Sequence, residues 1–337
     1  MRDMNVHGGP DAQGVPLHDF STNANACGPC PPALEGLRAA NPSRYPDPNH
    51  TELRERLAAF HGVGRERLVV AASASEFIVR ITAAAAAGGG GTAVVPVLAY
   101  GDYARAARAH GLEVQPATAT EPGASAARLA WGCEPSTPLG QDDPHLAARV
   151  DAWPADRPFV LDRAYAPLRL DGPPGGSLGP DRVARVWQLW SPNKALGLTG
   201  VRGAYAIAPC DAPPAFLACV QDLAPSWPLG AHAVAMLAAW AETPAQNWLA
   251  GSLAVLDRWK RRQQRLCTEL GCEVLPSVAN FFCARWPAEM PLQHTLDSLR
   301  AQGIKLRDCA SFGLPGHVRL GVLPPRSQDA LAVAWNS

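Results

Sequence analysis

The chain has 337 residues, with 30 basic and 30 acidic side chains, 47% hydrophobic residues and 18% charged ones. This is the composition of a globular chain long enough to bury a full core, not of a disordered one. The balanced charge gives no electrostatic footprint for nucleic acid or an anionic membrane, and the longest uncharged stretch, 81–101, carries Gly88 to Gly91 and Pro96, which a membrane helix would not.

The first 30 residues, rich in Gly, Pro and Asn, read as an extended arm. Charges at Arg2 and Asp3 with no apolar run after them do not make a signal peptide. Nine cysteines without such a signal point to reduced thiols and a cytoplasmic protein. Cys27-Gly-Pro-Cys30 has the spacing of a redox dithiol, but it follows Ser21-Thr-Asn-Ala-Asn-Ala rather than a buried strand and leads into Pro31-Pro32. It reads as a tight turn with two thiols, and with no second such pair no metal site is expected.

Beyond the arm, apolar runs alternate with helical patterns. Strands are expected at 68–71, 93–97, 129–132, 159–162, 186–190 and 204–208, with helices over 75–87 and 100–110. That alternation predicts an α/β fold with a parallel sheet covered on both faces. After Pro228 a long helical stretch, 231–271, leads to strands at 273–275 and 280–286, a helix at 292–302, strands at 305–307 and 317–322, and a short last helix. The expected organisation is an arm (1–30), a large domain (31–230) and a smaller C-terminal α+β domain (231–337), with no internal repeat.

The chemistry gathers at Ser191-Pro-Asn-Lys194-Ala-Leu-Gly197-Leu-Thr-Gly200-Val-Arg202, after the strand ending at Trp190. The glycine spacing is not that of a dinucleotide fold. Only three of the thirty basic residues are lysine, namely Lys194, Lys260 and Lys305. A lysine kept in a turn after a strand suggests that an amine is required, as Schiff-base chemistry demands, since arginine stays protonated. Ser191 and Arg202 would supply a hydroxyl and a forked cation for a phosphate. Asp162 ends an apolar strand, where a carboxylate can face a ligand and keep a pyridine nitrogen protonated. Tyr165 could bond the phenolic oxygen of such a ring, and Tyr100 could stack on it. Ser73-Ala74-Ser75 sits between strand and helix, where backbone N–H groups cradle a phosphate. Singly these residues have plain structural readings as caps, turns and core aromatics; their order along the chain makes them a constellation.

With these residues the sequence resembles the fold-type I pyridoxal 5'-phosphate enzymes of the aminotransferase class I/II superfamily, over essentially its whole length. The resemblance implies a mainly parallel sheet flanked by helices, a smaller C-terminal domain, and an active site shared across a homodimer. It implies Lys194 for the Schiff base, Asp162 for the pyridine nitrogen, Tyr165 for O3′, and Tyr100 for ring stacking. Ser191, Arg202 and the turn 73–75 would hold the phosphate, joined by Tyr45 from the other subunit, and Arg319 the substrate carboxylate. Within the superfamily His7-Gly-Gly, Asp19-Phe-Ser-Thr-Asn23-Ala-Asn, Trp227-Pro-Leu and Leu306-Arg307-Asp-Cys-Ala-Ser-Phe312 are similar to threonine-phosphate decarboxylases of cobalamin biosynthesis. His7 and Arg307 would then hold the substrate's own phosphate, with Asn23 also on the substrate side. Where the superfamily has N-P-x-N-P-T-G, this chain has Glu134-Pro-Ser-Thr137-Pro-Leu-Gly140, so a hydroxyl replaces the amide that bonds O3′. The expectation is a lyase converting O-phosphothreonine to aminopropanol phosphate. The alternative is a transferase, related to histidinol-phosphate aminotransferases, that moves an amino group to a 2-keto acid.

Overall fold

The computed structural model describes residues 8–117, 126–173 and 175–335. The arm contributes a two-residue strand, β1 (His18–Asp19). A seven-stranded sheet follows, built from β2 (Leu68–Ala71), β3 (Thr92–Val95), β4 (Glu113–Pro116), β5 (Ala127–Cys133), β6 (Phe159–Asp162), β7 (Trp187–Trp190) and β8 (Ala204–Ile207) in the order β2-β8-β7-β6-β5-β3-β4. The C-terminal part adds β9 (Glu273–Val274), β10 (Phe281–Arg285), β11 (Ile304–Lys305), β12 (Arg307–Asp308) and β13 (His317–Gly321). Strands β12, β13, β10 and β9 form an antiparallel sheet, whereas β11 pairs in parallel with β1 of the arm.

Both faces of the seven-stranded sheet are dry because alternate side chains of each strand go to opposite clusters. Tyr205 and Ile207 join Leu57, Met236 and Leu237 on one face, and Ala204 and Ala206 join Phe77, Ile81 and Trp187 on the other. A third cluster around Phe282, Leu320 and Leu331 fills the C-terminal part. Helix Ala74–Ala86 starts at Ser73, whose Oγ accepts from the Glu76 N–H at 3.1 Å, while the Glu76 carboxylate accepts from the Ala72 N–H at 3.0 Å. One orphan donor of the first turn, and the N–H just before the cap, are thereby satisfied.

Several expectations change. The sheet is mixed, because β8 runs antiparallel to both β7 and β2. The β4 edge strand, Glu113-Val-Gln-Pro, lacks the apolar run that reveals the others. The stretch 231–271 is two helices, Ala231–Trp240 and Thr243–Glu269, and Pro244 in the first turn of the second marks the break. The strand expected at 305–307 splits, Lys305 pairing with the arm and Arg307 with β13.

Pro31 and Pro32 open helix Pro31–Ala39 directly after Cys30, so Cys27-Gly-Pro-Cys30 leads into a helix rather than a loop. Its two thiols are free, and burial pushes both up, away from the thiolate form. The motif's role in packing is clear at its glycine. A Cβ on Gly28 would stand 2.8 Å from the Cα of Gly197, and Gly197 itself has φ +65°. The Cys30 N–H donates to the Leu196 carbonyl at 2.8 Å and the Asn25 N–H to that of Lys194 at 2.9 Å. The arm thus clamps the loop that carries Lys194.

Candidate active site

Reversal of β8 explains how the site assembles. Parallel strands β5, β6 and β7 deliver Cys133, Asp162 and Ser191 at their carboxyl ends. Because β8 runs the other way, the residues just before its first one, Arg202 and Gly203, arrive at the same edge. Strand β2, antiparallel to β8, ends there too and hands on to Ser73. A cavity of about 580 Å³ opens along this edge, roofed by β12, β13 and the arm. Edges of this kind are where ligands bind in open α/β sheets.

Lys194 is half-buried in the cavity, its Nζ 5.4 Å from the centre of the Tyr165 ring. Asn193 staples the loop behind it, donating to the carbonyls of Val201 at 3.3 Å and Thr199 at 3.5 Å. Asp162 is buried; its Oδ2 accepts from the Tyr103 hydroxyl at 2.6 Å and its Oδ1 from the Ala164 N–H at 2.9 Å. Burial raises this carboxyl above the usual aspartate range, against the lowering effect of the Tyr103 bond. The Tyr165 hydroxyl accepts from Asn23 Nδ2 at 3.3 Å.

At one end of the cavity, Ser73, Ala74 and Ser75 present the positive start of a thirteen-residue helix. Ser191 stands beside it with a buried Oγ that has no partner, and Arg202 lies at the rim. The Tyr100 hydroxyl lies 3.2 Å from Ser75 Oγ, and burial pushes it well up. At the other end Arg319 donates from Nη1 to Thr137 Oγ1 at 3.0 Å and from Nη2 to the Ser21 carbonyl at 3.1 Å. Arg307, directly opposite Arg319 on β12, donates to the Asp308 carbonyl and to Ser311 Oγ, both at 2.7 Å. The Phe312 ring is shared by the two guanidiniums, at 4.8 Å from Arg307 and 5.3 Å from Arg319. Burial and the neighbouring Arg319 charge both lower Arg307.

The structure therefore brings Ser73, Ala74, Ser75, Tyr100, Thr137, Asp162, Tyr165, Ser191, Lys194 and Arg202 into one cavity with Asn23, Arg307 and Arg319. Tyr45 is elsewhere, 79% exposed and stacked on Trp227 with ring centres 4.5 Å apart. His7 lies outside the described residues. Sequence reasoning missed Tyr103, Cys133, Ser21 and Phe312. Tyr103 had a usable signal, since it lies one helical turn beyond Tyr100 and so faces the same side.

A phosphorylated pyridine fits this donor set. A helix start, an unpartnered serine hydroxyl and Arg202 suit the phosphate. A buried carboxylate, whose one charged neighbour of consequence is Lys194, suits a protonated ring nitrogen. Among the described residues no three His, Cys, Asp or Glu side chains gather as a metal site, and no helix is long and apolar enough to cross a membrane.

Comparison with known proteins agrees with the geometry. The family model described as aminotransferase class I and II matches residues 17–126 and 179–335. The unmatched stretch between them holds Thr137, Asp162 and Tyr165, which the fold alone places at the site. The chain is 28% identical to a histidinol-phosphate aminotransferase of Symbiobacterium thermophilum, over 92% of this chain and 88% of that one. It is also 28% identical to one of Halorubrum lacusprofundi, over 90% and 84%. Among solved structures, the histidinol-phosphate aminotransferase of Sinorhizobium meliloti in complex with pyridoxal-5'-phosphate superposes with a TM-score of 0.80 at 20% identity, covering 99% of this chain and 96% of that one. The L-threonine-O-3-phosphate decarboxylase of Porphyromonas gingivalis gives 0.72 at 21% identity, covering 94% and 96%. Both superpositions place the fold among the fold-type I transferases. The chain belongs to the class I and II aminotransferase family.

Proposed function

We propose that this protein is a pyridoxal 5'-phosphate-dependent aminotransferase whose amino substrate carries a phosphate, with a 2-keto acid as acceptor. One observation carries the reading: Lys194, Asp162 and Tyr165 face one another in a cavity whose far wall holds two opposed buried guanidiniums, Arg307 and Arg319. The histidinol-phosphate aminotransferase name of the curated relatives supports amino transfer over the decarboxylation expected from the arm and the Arg307 segment.

Bound at Lys194, the cofactor supplies an electron sink for the bond broken at the substrate's α-carbon. Asp162 keeps the proton on the ring nitrogen, and its own bond from Tyr103 holds that carboxylate in place. Tyr165 and Thr137 offer hydroxyls to the phenolic oxygen. Ser73 to Ser75, Ser191 and Arg202 hold the cofactor phosphate. Arg319 would orient the anionic group nearest the α-carbon, and Arg307 would share the charge of the substrate's phosphate or take the distal carboxylate of the 2-keto acid. The Lys194 amine would carry the proton from the α-carbon. Exposed Tyr45 and Trp227 suit a contact with a second copy of the chain, so that Tyr45 would complete the neighbouring site in a homodimer.

A second reading keeps its own observation. Opposed Arg307 and Arg319 would also hold the phosphate and carboxylate of O-phosphothreonine, and alignment of the carboxylate bond would then release carbon dioxide. The deciding experiment supplies the holoenzyme with histidinol phosphate and 2-oxoglutarate, or with O-phosphothreonine and no keto acid, and identifies products by mass spectrometry. Glutamate formed only in the first mixture supports the aminotransferase. Aminopropanol phosphate in the second overturns it in favour of the decarboxylase. In Lys194→Ala the cofactor should no longer be fixed by borohydride; fixation at another residue would remove Lys194 from its role.

A further inference from the structure

Arg319 is 7% exposed and its Nε has no partner, so beyond the Phe281 and Phe312 rings it lies over, its aim depends on the two groups its Nη atoms meet. One is Thr137. The other is the carbonyl of Ser21, in the arm, and a carbonyl on an arm is only as well placed as the arm. Ser21 is fully buried, and the Asp19 carboxylate accepts from its N–H at 3.0 Å and its hydroxyl at 2.5 Å. Its Oγ accepts from the Gly9 N–H at 2.9 Å. Here the arm doubles back on itself so tightly that a Cβ on Gly8 would stand 2.2 Å from the Ser21 carbonyl oxygen. The Gly9 carbonyl in turn accepts from Lys305 Nζ at 2.6 Å, and the same ammonium pairs with Asp11 Oδ2 at 2.8 Å. Asp11 is also held by Arg300, which donates from Nη2 to Oδ1 at 2.7 Å and from Nε to Oδ2 at 3.0 Å.

We propose that Lys305, braced by Asp11, is a positioning residue for Arg319, acting through Gly9 and the Ser21 carbonyl. The inference rests on the reading of Arg319 as the arginine that holds the substrate's anionic group. It gives Lys305 a task in a chain that mostly uses arginine. Its one ammonium meets the Gly9 carbonyl and the Asp11 carboxylate at once. The inference also gives a use to the split of this segment, in which Lys305 pairs with the arm and Arg307 with β13. The register His18↔Ile304 and Asp19↔Lys305 sets Lys305 beside the residue that fastens Ser21. Gly8, Gly9 and Pro10 line the cavity themselves, so the same ammonium fixes part of its wall.

The test uses the holoenzyme with the amino substrate found active above, and the variants Lys305→Met, Lys305→Arg, Arg319→Lys and Lys305→Met/Arg319→Lys. Lys305→Met is expected to raise KM about three- to tenfold with kcat within about twofold, the scale of one charge-assisted bond only partly transmitted. Cofactor affinity and visible absorbance should not change, and Lys305→Arg should recover part of the loss. In the double variant the Lys305 change should add nothing to Arg319→Lys, as for residues acting through one group. A silent Lys305→Met beside an impaired Arg319→Lys overturns this inference alone, and so do additive effects or a KM rise that tracks weakened cofactor binding. An Arg319→Lys enzyme with unchanged KM overturns the reading of Arg319 and this inference with it.

Discussion

Arg319 and Thr137 are joined by a 3.0 Å hydrogen bond that ties the C-terminal sheet to the loop after β5. The threonine oxygen accepts from the guanidinium, which leaves its own proton to donate elsewhere in the cavity. An asparagine, usual at this position in the family the sequence resembles, would do the same two jobs with separate atoms. Thr137→Val keeps the shape and removes the acceptor. Arg319 Nη1 would then join Nε without a partner, and the bond that fixes the guanidinium toward the substrate, worth about 1–3 kcal/mol, would be lost. We expect KM for the amino substrate to rise roughly five- to a hundredfold, each 1.4 kcal/mol being tenfold. Thr137→Asn should recover most of the loss. A valine variant with wild-type KM would show that the bond does not orient Arg319.

Asp162 sets stability against function. Its carboxyl is raised by burial, so the folded protein binds the proton more readily than the unfolded chain does. In that case stability is fullest below the unfolded value of about 3.9 and declines as pH rises through the folded one. Cofactor-free Asp162→Asn should lack that decline. Its stability relative to wild type, read by denaturant unfolding, should therefore improve as pH rises above about 4, while cofactor affinity falls steeply. Tyr103→Phe should enlarge the decline, because it removes the one side-chain donor that lowers this carboxyl. A gap between Asp162→Asn and wild type that does not change with pH would refute the argument.

Much of the fold is legible in the sequence, because buried strands such as Phe159–Asp162 are continuous apolar runs bounded by turns. Strand direction is not. Nothing in Ala204-Tyr-Ala-Ile says that β8 runs backwards, yet that reversal puts Arg202 at the site. The scarcity of lysine is a weaker signal than it looks, since the other two lysines also have particular partners. Lys260 donates to the Ser277 carbonyl at 2.5 Å and is buried, and Lys305 holds Gly9 and Asp11. What singles out Lys194 is its place in a turn after a strand, with Asp162 ending the neighbouring one. Tyr103 escaped because a tyrosine inside an amphipathic helix looks like core, and by burial it is core. Only the contact with Asp162 gives it a task. Contacts between distant segments, such as Gly28 against Gly197, leave no local mark beyond the glycines themselves.

His61 is the group through which acid should loosen the large sheet's helical cover. It ends helix Thr51–His61, and its Nε2 lies 2.7 Å from the Tyr205 hydroxyl, which also accepts from Trp240 Nε1 at 2.9 Å. With its oxygen taken by the tryptophan, the tyrosine has its proton to give to a neutral imidazole. Burial, helped by the Arg163 charge, holds His61 at about 4. An unfolded histidine titrates near 6.5, so between these values the unfolded chain binds the extra proton. The contribution is therefore complete above pH 6.5 and is lost as pH falls through the folded value. At about 1.4 kcal/mol per pH unit it amounts to roughly 2 kcal/mol by pH 5. His61→Gln keeps an acceptor for Tyr205 but cannot titrate. Whatever its stability at pH 7.5, the variant should lose about 2 kcal/mol less than wild type on going to pH 5. Parallel unfolding curves for the two proteins across that interval would mean that His61 is protonated in the fold and that burial does not govern it.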